Sequence, residues 1–254
     1  MVCKICHALT HCCNIAIWQY AYSIPQRNIS FYLDFFIIII IIYIGFRNIH
    51  QSGENVRFFE VGLGCNFRNV LRKKGVDIWR ALLAPTDVIW MAEFDQRCVE
   101  TMKKRNVMPA GVNVVTGDQS KFEDLNRWVK ESGGRFHVFV DDGGHSNMQI
   151  YNTFQVMWEQ IVPGGLYFIE DLYVSRKPYS EKPKVTYEDS KGEFIIGDII
   201  KDWMEQLFES RGPVKHKIPP NVEFILCQTK ACVIKKCHPD DLAHMFGGKL
   251  CTAT

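Results

Sequence analysis

Two short acidic clusters set the chemistry this chain could perform. Asp141-Asp142-Gly143-Gly144-His145 follows the apolar run Phe136–Val140, and Glu170-Asp171 follows the apolar run Leu166–Ile169. Carboxylates brought face to face repel unless they are protonated or share a cation, and an oxygen-only donor set suits magnesium or calcium better than zinc. A magnesium ion held there could trade waters for the hydroxyls of a substrate and lower a hydroxyl's pKa. His145 lies close after Asp142 and has the right ordinary pKa to take the released proton near neutrality. Plainer readings stand beside this one. Asp141 can cap the helix that starts near Ser146, Glu170-Asp171 can be a simple strand-end turn, and a histidine on its own is usually structural.

The elements around these clusters alternate strand with helix. Strands are read at Val56–Val61, Val88–Phe94, Val112–Val115, Phe136–Val140 and Leu166–Ile169. Helices are read at Gly75–Leu83, Gln96–Arg105, Phe122–Lys130, from near Ser146, and at Phe194–Ser210. On the third of these, Phe122, Leu125, Trp128 and Val129 share one face. Val222–Cys227 and Ala231–Lys236, separated by Gln228-Thr229-Lys230, read as a hairpin. Such an order predicts a mostly parallel sheet with an antiparallel strand near its end, and both acidic clusters then leave the same carboxyl edge, where open α/β sheets bind ligands. The first strand runs into Gly62-Leu63-Gly64-Cys65-Asn66, a turn that lets a ligand approach the backbone. A dinucleotide fingerprint would place its third glycine where Phe67 stands, which argues against a nicotinamide cofactor. Glu93 or Asp95, closing the second strand, could hold ribose hydroxyls; alternation does not separate them.

The chain has 254 residues, 47% of them hydrophobic and 23% charged, enough for one α/β core. A net charge of +2 and short basic runs, Arg72-Lys73-Lys74 and Lys235-Lys236, read as solvated faces and exclude a nucleic-acid partner. Of ten cysteines, Cys3, Cys6, Cys12 and Cys13 crowd the start, but no second spaced pair completes a zinc site with His7 and His11. A chain this long with its own core needs no disulfide scaffold, and Cys227, Cys232 and Cys237 read as buried thiols. Residues 1–50 stand apart from a domain at 51–254. Their apolar run, 29–46, reads as a membrane anchor or a translated non-coding stretch, with a soluble buried helix behind both, so the expected location is membrane-anchored or cytoplasmic. The polar segment Tyr173–Glu193 reads as a substrate-facing lid, and Trp79, Trp128, Trp158 and Trp203 as core.

Phe59-Glu60-Val61-Gly62-Leu63-Gly64 resembles the first motif of class I S-adenosylmethionine-dependent methyltransferases. Glu93 falls where their ribose-binding acid lies, Gly117-Asp118 where the adenine-side acid often lies, and Pro163-Gly164-Gly165 and the final hairpin also fit. The resemblance covers roughly residues 55–237. It implies an α/β fold, a three-layer Rossmann-like methyltransferase sandwich whose mostly parallel sheet ends in a C-terminal antiparallel hairpin. It places Glu60, Gly62, Gly64, Glu93 and Asp118 on the S-adenosylmethionine side, and Asp141 is assigned with them. More narrowly, Asp141-Asp142-Gly143-Gly144-His145 with Ile169-Glu170-Asp171-Leu172 is similar to the metal-dependent sugar O-methyltransferases of macrolide and tetracenomycin biosynthesis, although Gly144 stands where Ser is usual. That resemblance implies Asp142, Glu170 and Asp171 as Mg2+ ligands, His145 as general base, and a hydroxyl of a sugar or glycosylated small molecule as acceptor. Competing readings are a non-catalytic or membrane-tethered S-adenosylmethionine-binding protein of the same fold and an oxidoreductase on a related sheet. The oligomeric state is left open.

Overall fold

Short apolar runs bounded by turn residues become the strands of one sheet. The computed structural model describes residues 49, 53–65, 74–174, 195–208 and 212–238. The cysteine cluster at 3–13, the apolar run at 29–46, Phe67, Arg72 and Lys73, residues 175–193 of the polar segment and the tail after His238 lie outside them. No helix among the described residues is long and apolar enough to cross a membrane. The strands are β1 (Arg57–Val61), β2 (Val88–Glu93), β3 (Val112–Thr116), β4 (Phe136–Asp141), β5 (Ile161–Ile169), β6 (Val222–Cys227) and β7 (Cys232–Lys236), in the order β3-β2-β1-β4-β5-β7-β6. β1 to β5 pair in parallel, while β7 runs antiparallel between β5 and β6. β4 is buried along its whole length, as a central parallel strand covered on both faces must be.

Alternation along β1 shows the layers. Phe58 meets Trp79 of α1 (Lys74–Leu82) at 4.6 Å on one face. Its neighbour Phe59 meets Trp128 of α3 (Phe122–Ser132) on the other. On that second face Phe59, Phe139 and Tyr167 are register partners on adjacent strands, stacked at 5.2 and 4.9 Å. Phe154 of α4 (Asn147–Met157) and Trp203 of α5 (Ile196–Leu207) close over this row. Each such aromatic pair adds about 0.5–1.5 kcal/mol beyond the area it buries, so the row fixes β1, β4 and β5 against one another. The four tryptophans expected in the core are buried there. α2 (Gln96–Lys104) follows β2, capped by Asp95, whose side chain accepts from the Cys98 N–H.

Several readings of the sequence are corrected. β5 begins at Ile161, and Pro163-Gly164-Gly165 forms part of it, inside a register irregularity opposite Phe136–Val138. Phe122 is 44% exposed because it opens α3 rather than lying on its buried stripe of Leu125 and Trp128. Lys236 is no solvated charge: its Nζ donates to the carbonyls of Trp158 and Ile161, each at 3.0 Å, and lies over the Trp158 ring. Cys227 and Cys232 are not thiols. They are direct partners in the β6–β7 ladder, 4.1 Å apart at Cα, and form a disulfide. Cys237 is disulfide-bonded as well, and a further bridge joins Cys65 to Cys98.

Candidate active site

The register of the sheet delivers the acidic residues to one place. Val61, Asp141 and Ile169 lie side by side at the ends of β1, β4 and β5. The ladder continues for another residue, since Asp142 N–H donates to the Val61 carbonyl at 3.1 Å and Glu170 N–H to the Asp141 carbonyl at 3.0 Å. Gly62, Asp142 and Glu170 therefore leave the sheet together at the point where strand order reverses, β1 turning one way and β4 the other. Only glycine fits at 62: its φ is +110°, and a Cβ there would stand 2.1 Å from the Asp142 carbonyl oxygen.

Beyond the strands, the backbone is bent to aim side chains. His145 and Asp171 adopt left-handed φ values of +58° and +52°, conformations that cost non-glycine residues and gather at functional sites. His145 Nε2 lies 3.8 Å from Asp142 Oδ1 and 3.6 Å from Asp171 Oδ2. One ligand atom from each of Asp142, His145 and Asp171 falls within 4.8 Å of the others. Glu170 is not in that converging triple, but its charge reaches Asp142. Burial, then repulsion from Glu170 and Asp171, raises the Asp142 carboxyl to about 8, and burial with the Asp171 charge raises Glu170 to about 7. Burial pushes His145 down, against the pull of Asp171. Its Nδ1 is buried without a hydrogen-bond partner. Asp142 and Asp171 keep 39% and 38% of their side chains exposed, leaving the cluster open on one side. Two converging carboxylates with an imidazole beside them, the Glu170 carboxyl close enough to act on Asp142, and an open face together fit a divalent cation.

The other expected residues are spread along the same edge. Glu60 is buried and accepts from Trp79 Nε1 at 2.9 Å. Burial raises its pKa well above the usual carboxylate range, helped by the charges of Asp142 and Glu170. The structure separates Glu93 from Asp95: Glu93 is buried and accepts from the backbone N–H groups of Cys65 and Asp95, each at 3.0 Å, whereas Asp95 is the helix cap. Asp118 accepts from the backbone N–H and hydroxyl of Ser120. Gly64, at φ +74°, has nothing within 4 Å of where a Cβ would stand. Asp141 does not cap α4. Ser146 does, in a capping box with Gln149. The Asp141 carboxyl instead points to the α4 side, raised to about 7 by burial, with Oδ1 accepting from Gln119 and Oδ2 unpartnered.

Gln119 was not anticipated from the sequence. Its Nε2 donates to Asp141 at 3.0 Å while its Oε1 accepts from the Gly144 N–H at 2.8 Å, so one buried amide braces both ends of the acidic turn. The only sequence signal was its place directly after Gly117-Asp118, at a strand end facing the same edge.

No family profile matches the chain. Over 125 residues it is 34% identical to demethylmacrocin O-methyltransferase of Streptomyces fradiae and 26% identical to mycinamicin VI 2''-O-methyltransferase of Micromonospora griseorubida, covering 49% of this chain and 29% of each of them. The chain thus spans about a third or less of the length of the curated relatives it matches. Among solved structures, the MycE methyltransferase of the mycinamycin biosynthetic pathway, in complex with Mg, SAH and mycinamycin VI, superposes with a TM-score of 0.57 at 21% identity, over 80% of this chain and 50% of that one. The fold is the Rossmann-like methyltransferase sandwich. Within this methyltransferase fold the glycine turn after β1 and the acidic turns after β4 and β5 face one another across the switch point.

Proposed function

We propose that the chain is an S-adenosylmethionine- and magnesium-dependent O-methyltransferase acting on a hydroxyl of a sugar or glycosylated small molecule. The observation that carries this reading is the convergence of Asp142, His145 and Asp171 within 4.8 Å at the sheet edge that also bears the open glycine turn. Asp142, Glu170 and Asp171 would hold the metal; Gly62, Gly64, Glu93 and Asp118 would line the cofactor side, with Glu60 and Asp141 behind them. When bound, the metal supplies Lewis acidity toward the acceptor hydroxyl, and the sulfonium supplies the methyl group. His145 Nε2 accepts the hydroxyl proton. The oxygen then forms its bond to the methyl carbon as the carbon–sulfur bond breaks, leaving an ether, a thioether and a protonated imidazole. Burial weakens His145 as a base, and the neighbouring Asp142 and Asp171 carboxyls offset this by stabilising the imidazolium as the proton arrives. The sugar acceptor is inferred from the named activities of the macrolide relatives.

Calorimetry of the full chain with S-adenosylhomocysteine, with and without magnesium, tests the reading. Saturable binding to one site and a magnesium-dependent rise in melting temperature are expected, because a ligand selective for the folded state stabilises it. Absence of both would leave only the fold.

A further inference from the structure

The cofactor turn is closed on itself by a bond that the chemistry above does not use. Cys65 directly follows Gly64, and it is joined by a disulfide to Cys98 in the first turn of α2, with a Cα separation of 6.0 Å across 33 residues of chain. Hydrogen bonds complete a ring through the end of β2. Cys65 N–H donates to one oxygen of Glu93, the other oxygen of Glu93 accepts from Asp95 N–H, and the Asp95 side chain accepts from Cys98 N–H, each at 3.0 Å. At the other end of the turn, the Gly62 and Leu63 N–H groups donate to the Ala92 carbonyl at 2.9 and 3.2 Å. A turn containing two positive-φ glycines has much conformational freedom to lose. Here that freedom is removed by a covalent link before any ligand arrives, which is the condition for tight binding by a preorganised site.

Resting on the S-adenosylmethionine reading above, we propose that the Cys65–Cys98 disulfide is a positioning element of the cofactor site. It fixes the glycine turn and the Glu93 carboxylate in their binding arrangement, and cofactor affinity depends on its being closed. The bond is no isolated oddity: all the cysteines among the described residues, Cys65, Cys98, Cys227, Cys232 and Cys237, are disulfide-bonded. Bridges throughout a fold persist in oxidising surroundings and are rare where thiol pools are reducing. The protein therefore reaches its cofactor-competent form in an oxidising compartment. A dithiol reductant would undo the clamp by delivering two electrons and two protons, turning the bridge into two thiols while the dithiol closes to its own disulfide.

The test uses full-length protein, oxidised and then treated with dithiothreitol, with thiol titration to confirm opening and far-UV circular dichroism to confirm that the fold persists. S-Adenosylhomocysteine affinity is measured by calorimetry, and the magnesium-induced melting shift is recorded alongside. Opening the bridge should weaken affinity at least tenfold while leaving the magnesium shift in place, because the acidic turns lie on other strands. Cys98→Ser should match the reduced form and no longer respond to dithiothreitol. A Cys227→Ser/Cys232→Ser variant should retain the full response, which assigns it to the Cys65 bridge. Equal affinity in the open and closed forms would overturn the clamp and leave the proposed activity intact. Failure of the oxidised protein to bind at all would overturn the cofactor reading and the clamp together.

Discussion

One histidine stands near the start of β4 and another follows its end, and the two are built differently. At the entry, His137 has both ring nitrogens engaged: Nδ1 accepts from the Arg57 N–H at 3.0 Å and Nε2 faces Glu54 at 3.4 Å. Arg57 in turn donates through its guanidinium to the carbonyls of Gly134 and Ser132. Past the exit, His145 sits in left-handed backbone with Nδ1 unpartnered and Nε2 between two carboxylates. Burial lowers the pKa of both rings. A shifted pKa therefore does not tell a structural histidine from a reactive one; satisfaction of the ring does. Folded proteins leave few buried polar atoms without a partner, and Asp141 Oδ2, His145 Nδ1 and the Tyr167 hydroxyl at or beneath this edge are among those that lack one. The entry is satisfied within the chain itself, whereas the exit leaves buried polar atoms that the chain does not satisfy.

The strongest way to break this contrast is at Asp142. Asp142→Asn should abolish the magnesium-dependent rise in melting temperature and lower methyl transfer by about a hundredfold or more, since Lewis-acid stabilisation is worth several kcal/mol. Retention of both would remove the metal from the exit. The histidines should then trade phenotypes. His145→Gln should lower kcat by about 10²–10⁴-fold with little change in urea stability, while His137→Gln should leave turnover alone and cost about 1–2 kcal/mol by stranding the Arg57 N–H. Kinetics and urea unfolding on both variants decide it, and a stability loss confined to His145→Gln would collapse the comparison.

How far this contrast could be read from the sequence depends on which residues carry it. The strands, the helices and the acids at their ends were legible, because a buried parallel strand is a short apolar run and the residue after it must leave the sheet. His145 was legible only as a partner of Asp142, through its spacing. Gln119 was hidden, because a polar residue in a loop gives no sign of bridging Asp141 and Gly144 across the sheet edge. The Cys65–Cys98 bridge was hidden for the same reason: partners 33 residues apart meet only once β1 and α2 are placed. Glu93 and Asp95 became distinct when α2 was seen to take Asp95 as its cap.

The exit should also leave a mark on the pH dependence of stability. Burial first, and mutual repulsion after it, raises Asp142 to about 8 and Glu170 to about 7, and burial raises Asp141 to about 7. A carboxyl whose folded pKa exceeds its unfolded one binds more protons when folded, so its stabilising contribution is complete below the unfolded value near about 4 and is lost as pH rises through the folded value. The metal-free protein should therefore melt lower at about pH 8 than at about pH 5. Millimolar magnesium should recover more of the loss at the higher pH, where the carboxylates are ionised to meet it. A flat metal-free profile in calorimetric melts would mean that the exit is not crowded.

The smallest effect is expected at Gly144, where the resembling sugar O-methyltransferases usually have Ser. A Cβ at this position would stand 2.1 Å from Gln149 Oε1, the far end of a flexible side chain. That same oxygen accepts from the Ser146 N–H at 3.3 Å as the second half of the α4 capping box. Gly144→Ser must swing the amide away and open this long bond, at a cost of about 0.5–1 kcal/mol, toward the low end for a cap. Gln149→Ala opens the same bond by deletion. If the clash acts only through the amide, the double variant should be no less stable than Gln149→Ala, giving a favourable coupling of about 0.5 kcal/mol in a double-mutant cycle. Strict additivity would instead place the accommodation in the backbone of the acidic turn. His145 would then move with it, and kcat should fall in the Gly144→Ser protein even where its stability has barely changed.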